Sequence, residues 1–176
     1  MVRCNLEFRA ENISAQLLEK WVKENNFKLD SVRYGKINTS KKTKGGGIFL
    51  SFYKKDLRAE FRIFEKNQDG IQDKTIATII SKWISFLEKL ETVKNIEWEF
   101  LLGGLNNVEE TDLMNIIEKE RKEIFNLIGF NIEEFYLSFN ELVIRGYSNT
   151  KDLDKTFKIL KSIHKKIKDF LTVKSL

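Results

Sequence analysis

The sequence predicts an α+β fold, a mostly antiparallel sheet of about seven strands with four helices, arranged as two similar β-α-β-β-α halves. Three observations lead there. Short segments alternate apolar and polar residues with period two, as half-buried strands do. Longer segments between them place apolar residues three and four apart, the mark of helices that bury one face. The two kinds of segment follow the same order in residues 1–94 and 95–176, two halves expected to form one compact domain.

In RCNLEFRA (3–10), Cys4, Leu6 and Phe8 fall on one face, and Arg3, Asn5, Glu7 and Arg9 on the other. NISAQLLEKWVKENNF follows with Leu17, Leu18, Trp21 and Val22 at helical spacing, which predicts a helix over 13–26. KLDSVRYGK (28–36) is a weak strand candidate. GIFLSFY and LRAEFRIF read as a hairpin turning at Lys54-Lys55-Asp56, with Leu57, Ala59, Phe61 and Ile63 alternating against Arg58, Glu60 and Arg62. NQDGIQD (67–73) is a loop whose Asp73 caps a helix running to Lys94. The apolar face of that helix, from Ile76 through Trp83 to Leu90, is wide enough to require cover by a sheet.

The second half repeats the order. NIEWEFLL turns Ile96, Trp98 and Phe100 inward and Glu97 and Glu99 outward. Asn107 with Glu110 resembles a capping box for a helix that ends at Ile128-Gly129. IEEFYLSF and LVIRGY form a hairpin about Asn140-Glu141, and a last helix spans 151–172 with Leu153, Phe157, Leu160, Ile163, Ile167 and Phe170 inward. NLEF (5–8) parallels EWEF (97–100), and LSF at 50–52 recurs at 137–139, which together suggest an internal duplication. The first half carries a surplus, a basic Gly-rich insert at 34–47, expected to be a flexible loop because unstructured surplus chain usually sits in loops.

Composition narrows the function. The chain has 176 residues, 41% apolar and 32% charged, with 14 Phe and 3 Trp, a globular composition. No apolar run approaches the roughly 18 residues of a membrane span, and the N-terminus lacks a signal-peptide core. One cysteine allows no intramolecular disulfide and fits a reducing compartment, so a cytoplasmic protein is expected. Abundant Lys, Ile, Asn and Phe with no proline are what an AT-rich genome writes, as in some bacteria and their phages. The charge is polarised: residues 34–66 carry net +6, 96–150 net −7 and 151–176 net +5.

No complete catalytic motif is present, so no enzyme and no cofactor are expected. Gly45-Gly46-Gly47 precede a strand, with no Gly-Lys-Ser/Thr after them, which argues against a phosphate loop. A single His and a single Cys exclude a Cys/His zinc cluster. His164 is expected on a solvated helix face and Cys4 in the core. Glu7, Glu97 and Glu99 would converge if their strands were neighbours, and Glu60-Phe61-Arg62 after Asp56, or Glu65-Lys66, imperfectly resemble a metal-dependent nuclease pattern. Surface carboxylates on strands are ordinary, so no metal is assigned.

Binding is what is left. Tyr34, Lys36, Lys41, Lys42, Lys44, Tyr53, Lys54 and Lys55 form the primary candidate site, aromatics interleaved with lysines. Lys158, Lys161, Lys165 and Lys168 form a second basic face, and Glu97, Glu99, Glu109 and Glu110 an acidic patch. Opposed charge patches select protein partners, so a non-enzymatic protein binder of inhibitor, immunity or adaptor type is the leading expectation. The alternative is a nucleic-acid binder using 34–58 and the C-terminal helix. A metal-dependent nuclease is the distant third.

Overall fold

The computed structural model describes residues 3–44, 46–65, 70–106, 108–125, 130–138 and 140–174. All the described strands belong to a single antiparallel sheet. They are β1 (Arg3–Glu11), β2 (Lys28–Arg33), β3 (Lys36–Lys42), β4 (Gly46–Tyr53), β5 (Arg58–Glu65), β6 (Asn95–Gly103), β7 (Phe130–Ser138) and β8 (Glu141–Asn149). The helices are α1 (Ala15–Glu24), α2 (Lys74–Glu88), α3 (Glu110–Phe125) and α4 (Leu153–Lys174). The α+β class and four helices agree with the sequence pattern, and the sheet has eight strands rather than about seven.

Strand order is β2-β3-β4-β5-β1-β6-β8-β7. From the central β1/β6 pair outward, each half runs first strand, last strand, middle strand. This symmetry is one of topology, which two β-α-β-β-α units packed side by side generate with or without a copied sequence. The β2–β3 hairpin breaks it.

That hairpin corrects the expectation for 34–47. Residues 36–42 are not a loop but a strand, paired with β2 on one side and with β4 on the other from Lys36↔Tyr53 to Lys42↔Gly47. Its alternation was hidden by polar residues: Ile37 and Thr39 are the buried positions, and Thr39 makes itself acceptable there by donating its hydroxyl to Leu50 O at 2.8 Å. Gly46 and Gly47 open β4, and Gly45 lies outside the described residues. At Gly47 the Phe49 ring folds back so closely that a Cβ would stand 3.3 Å from its Cε2, so a side chain there would have to push the ring aside.

The helices all pack on one face. Phe8, Phe61, Leu50, Trp98 and Phe100 from the sheet join Leu18, Trp83, Leu113 and Leu160 from the helices in a single apolar cluster drawn from both halves. At its heart Trp83 stacks on Phe61 with centroids 5.0 Å apart and meets Trp21 edge-on at 5.2 Å. Ser14 caps α1 by accepting from Leu17 N, and Asp73 caps α2 by accepting from Thr75 N and Ile76 N. The helix begun at Asp73 stops at Glu88, short of the expected Lys94. The expected Asn107 cap and the Ile128-Gly129 stop lie outside the described residues. No described helix is long and apolar enough to cross a membrane.

Two substitutions test this packing. Trp83→Ala should cost about 3–5 kcal/mol, because the deep aromatic stack has no neighbour free to fill the void. Asp73→Ala should cost about 1 kcal/mol, the worth of one helix cap. Urea denaturation followed by tryptophan fluorescence and circular dichroism measures both.

Candidate functional site

The face of the sheet turned away from the helices carries the other half of every strand's alternation. Across it run rows of cross-strand neighbours. One row is Phe49, Arg62, Glu7, Glu99 and Arg145, and the next is Asn38, Ser51, Glu60, Arg9, Glu97 and Tyr147. The three carboxylates singled out in the sequence are indeed neighbours: β1 pairs with β6, and Glu7 stands directly opposite Glu99. Like charges so placed repel. The repulsion is relieved by arginine. Arg9 donates to Glu7 Oε1 at 2.8 Å and to Glu97 Oε1 at 2.9 Å, and Arg145 donates through Nε to Glu99.

The hydrogen bond to Glu7 above all, then the fields of Glu7, Glu97 and Glu99, hold the Arg9 guanidinium above its ordinary pKa. A raised cation stabilises the fold fully below its unfolded pKa and loses that contribution only as pH climbs through the folded one. Arg9 therefore stays charged throughout the neutral range. Among the described residues no group of three His, Cys, Asp or Glu side chains is placed to hold a metal ion.

A second charge node sits on Glu60, nine-tenths buried, which meets Lys36 Nζ at 3.3 Å and Arg58 and Arg62 at 3.6 Å each. Beside it the face hollows into a cleft of about 580 Å³. Asp30 on β2 and Glu99 on β6 both border it, although five strand spacings, about 24 Å along a flat sheet, separate those strands. The sheet is thus rolled toward its bare face, and the bulge at Asp30 contributes to the roll.

The primary candidate site divides between the two ends of the β3–β4 pair. At one end, turn 34–35 lies against turn 54–57, with Lys54 N donating to Gly35 O at 3.0 Å. Tyr34, Tyr53, Lys54 and Lys55 line one shallow pocket there, and Lys36 Nζ and Arg58 Cζ lie 5.2 and 6.0 Å from the Tyr53 ring centroid. Lys41, Lys42 and Lys44 are at the far end. Lys41 in addition points toward the helix layer, where its Nζ donates to Asn25 O at 2.6 Å beyond the C-terminus of α1. A cation at that end satisfies carbonyls the helix leaves open, which makes Lys41 a structural residue.

The backbone of Tyr34 is the unforeseen feature of this corner. It has φ 51° and Gly35 φ 77°, so together they make a two-residue turn with both central residues left-handed. Asn or Gly normally fills the first position. Here a tyrosine does, fully exposed, its ring shielded by nothing. Leu57 in the adjoining turn is also left-handed, at φ 48°, and partly exposed.

The other candidates lie elsewhere. Lys158, Lys161, Lys165 and Lys168 belong to α4, in the helix layer, so they do not extend the basic corner across the sheet face. Lys158 is tied to Asp154 at 2.7 Å, which raises its pKa. The acidic patch does not form: Glu97 and Glu99 are on the bare face, while Glu109 and Glu110 stand at the start of α3 near the Lys174–Asp112 pair. His164 is fully buried, not solvated, with Nδ1 3.5 Å from Gln72 Nε2. It joins Thr156, Leu160, Ile163 and Ile167, so the buried stripe of α4 takes in two polar residues, Thr156 and His164, that the apolar pattern left out.

No protein-family model matches this chain, and no curated protein does. Among solved structures it is similar to Clostridium acetobutylicum aspartate kinase, with 14% identity, TM-score 0.27 and coverage of 93% of this chain and 33% of that one. It is also similar to the ligand-free regulatory subunit of aspartate kinase from Thermus thermophilus, with 11% identity, TM-score 0.26 and coverage of 94% and 96%. The chain spans about a third, 33%, of the length of the first. TM-scores of this size do not establish a common fold.

Removing the central arginine should expose the repulsion it relieves. Arg9→Met is expected to lower stability by about 1 kcal/mol, an amount set by partial exposure of the pair. Adding Glu7→Gln should recover part of that loss. A double-mutant cycle in urea reads the coupling, and strict additivity would show that Arg9 does not hold Glu7.

Proposed function

We propose that this chain is a non-enzymatic binding protein of the cytoplasm that engages another protein, in the manner of an inhibitor, immunity or adaptor protein. The contact begins at the corner formed by turns 34–35 and 54–57 and continues onto the bare sheet face. Tyr34 carries the proposal. A left-handed backbone at a residue other than Gly, Asn or Asp costs about 1–2 kcal/mol. The exposed ring returns nothing to the fold, so its value lies outside the folded chain. Tyrosine, tryptophan and arginine dominate protein interfaces, and tyrosine brings large rigid area at little entropy cost.

The bare face has the dimensions for such a contact. Eight strands span about 34 Å, and seven residues of strand about 23 Å, giving roughly 780 Å², near the 800 Å² each partner gives to a standard interface. Its alternating Arg and Glu rows with Tyr53, Tyr147, Phe49 and Phe64 among them are a mixed, selective surface.

Nucleic-acid binding is the second reading, favoured by Tyr34 and Tyr53 beside Lys54 and Lys55. Against it, Glu7, Glu60, Glu97 and Glu99 interrupt any phosphate track over the sheet, and the lysines of α4 belong to the other layer.

Gel shift separates the two readings. No binding to single- or double-stranded nucleic acid is expected at about 150 mM salt, whereas tight binding that falls steeply with added salt would overturn the protein reading. Tyr34→Asn should raise the melting temperature, by about 0.5–1 kcal/mol of added stability, because asparagine suits the left-handed turn. The same variant should lose any protein captured by the wild type. A variant that melts lower, or that captures the same protein equally well, would remove Tyr34 from this role.

A further inference from the structure

We propose that the cleft on the bare face is a binding site for a small organic anion with an aromatic or branched apolar body, a site away from the corner at Tyr34 but within the face that the protein contact continues onto. The cleft measures about 580 Å³, within the range of small-ligand sites and well beyond one solvent molecule. Its apolar part is unusual for a solvent-facing sheet. Phe49 and Phe64 are 40% and 52% exposed on neighbouring strands, with Leu101 across β1 from Phe64. The glycine at 47 lets the Phe49 ring lie down against the backbone beside Phe64, so the two rings form a floor. A ligand ring set on that floor removes apolar surface from water on both sides and gains offset or edge contacts.

Charge decides the sign of the ligand's head group. Four charged side chains border the cleft: Glu7, Asp30, Glu99 and Arg62. Glu7 is bonded to Arg9 at 2.8 Å, and Glu99 is bonded to Arg145, so both acids are already compensated. Asp30 borders the cleft from β2, three strands from Arg62, and is the third acid of its rim. Arg62 is different. It makes no hydrogen bond among the described residues, and its one ion pair is a 3.6 Å approach to Glu60, a carboxylate that also serves Lys36 and Arg58. Three cations share one anion at that node, so positive charge is in surplus. The Arg62 guanidinium, held only by that long ion pair, stands in its row between Phe49 and Glu7, where it can hold a carboxylate or sulfonate through two parallel N–H donors.

Polar groups complete the wall opposite the guanidinium. Ser51 donates to Asn38 Oδ1 at 2.8 Å, and Asn38 donates in turn to Ser31 Oγ at 3.1 Å. This relay fixes the Asn38 amide, and the Asn5 side chain, with no hydrogen bond among the described residues, faces the same hollow. The arrangement is an apolar floor with one available guanidinium and a few oriented polar groups, which is how sites for amphipathic acids are made.

The probe is 8-anilinonaphthalene-1-sulfonate, an aromatic monoanion whose fluorescence rises on burial, with phenylacetate as a non-fluorescent competitor. Titration of the full chain should show one saturable site that phenylacetate displaces. Arg62→Gln should weaken it by about tenfold, the loss of one charge-assisted pair. Phe49→Ala should weaken it as well. If Phe49→Ala does not fold, Arg62→Gln carries the test, since that side chain is half exposed and its variant should melt with the wild type. Tyr34→Asn should bind the probe as the wild type does, so failure of this site and failure of the protein-binding corner are told apart. Non-saturable fluorescence, probe that phenylacetate does not displace, or equal affinity in Arg62→Gln would each overturn the proposal.

Discussion

Everything in this molecule hangs on the pairing of β1 with β6. It is the seam at which the two halves meet, and it fixes both faces of the sheet at once. With Leu6 opposite Phe100 and Phe8 opposite Trp98, the ladder sets the inner face on which all four helices pack. The same register forces Glu7 against Glu99 on the outer face. A slip of one residue would relieve that clash, but it would turn Phe8 and Leu6 out to water. Burial of large apolar side chains is worth several kcal/mol and a surface repulsion about one, so the core dictates the register and Arg9 accommodates the consequence.

A sheet covered on one side only has to answer for the other. In this protein the answer is a lattice of arginines and glutamates, rolled into a concave surface and interrupted by two phenylalanines. Such a lattice keeps the face soluble. It does not explain why Phe49 and Phe64 stay exposed. The backbone at the corner poses the same question. Of the four non-glycine residues with positive φ among the described residues, Asn12 and Asn26 are of the type that tolerates it, while Tyr34 and Leu57 are not, and those two occupy adjoining turns. Departures from the economical choice are therefore gathered on one face and one corner.

The asymmetry between the halves is instructive for the same reason. The β2–β3 hairpin widens only the first half, and by extending the sheet beyond β4 it supplies the outer wall of the cleft and the turn that presents Tyr34. The lysine-rich chemistry of that stretch is split by the strand itself. Alternate residues face opposite ways, which sends Lys41 to the end of α1 and leaves Lys36 and Lys42 on the bare face.

The sequence alone determined the class of the fold, the strands whose apolar residues alternate cleanly, the cap at Asp73, and the inward place of Cys4. These depend on local periodicity and short-range hydrogen bonds, which are written in consecutive residues. It misread 36–42, where Thr, Ser and Asn mask the alternation, and His164, whose burial is set by packing around it. It could name Glu7, Glu97 and Glu99 as potential neighbours, but not that arginines would sit among them. Tyr34 and Lys54 were legible as residues of an aromatic and basic site. That they share a corner while Lys41 and Lys42 do not is a matter of register, and the cleft is a matter of sheet curvature. Only the tertiary structure decided these, because strand order and roll bring together side chains far apart in the chain, and no local pattern encodes which edges meet.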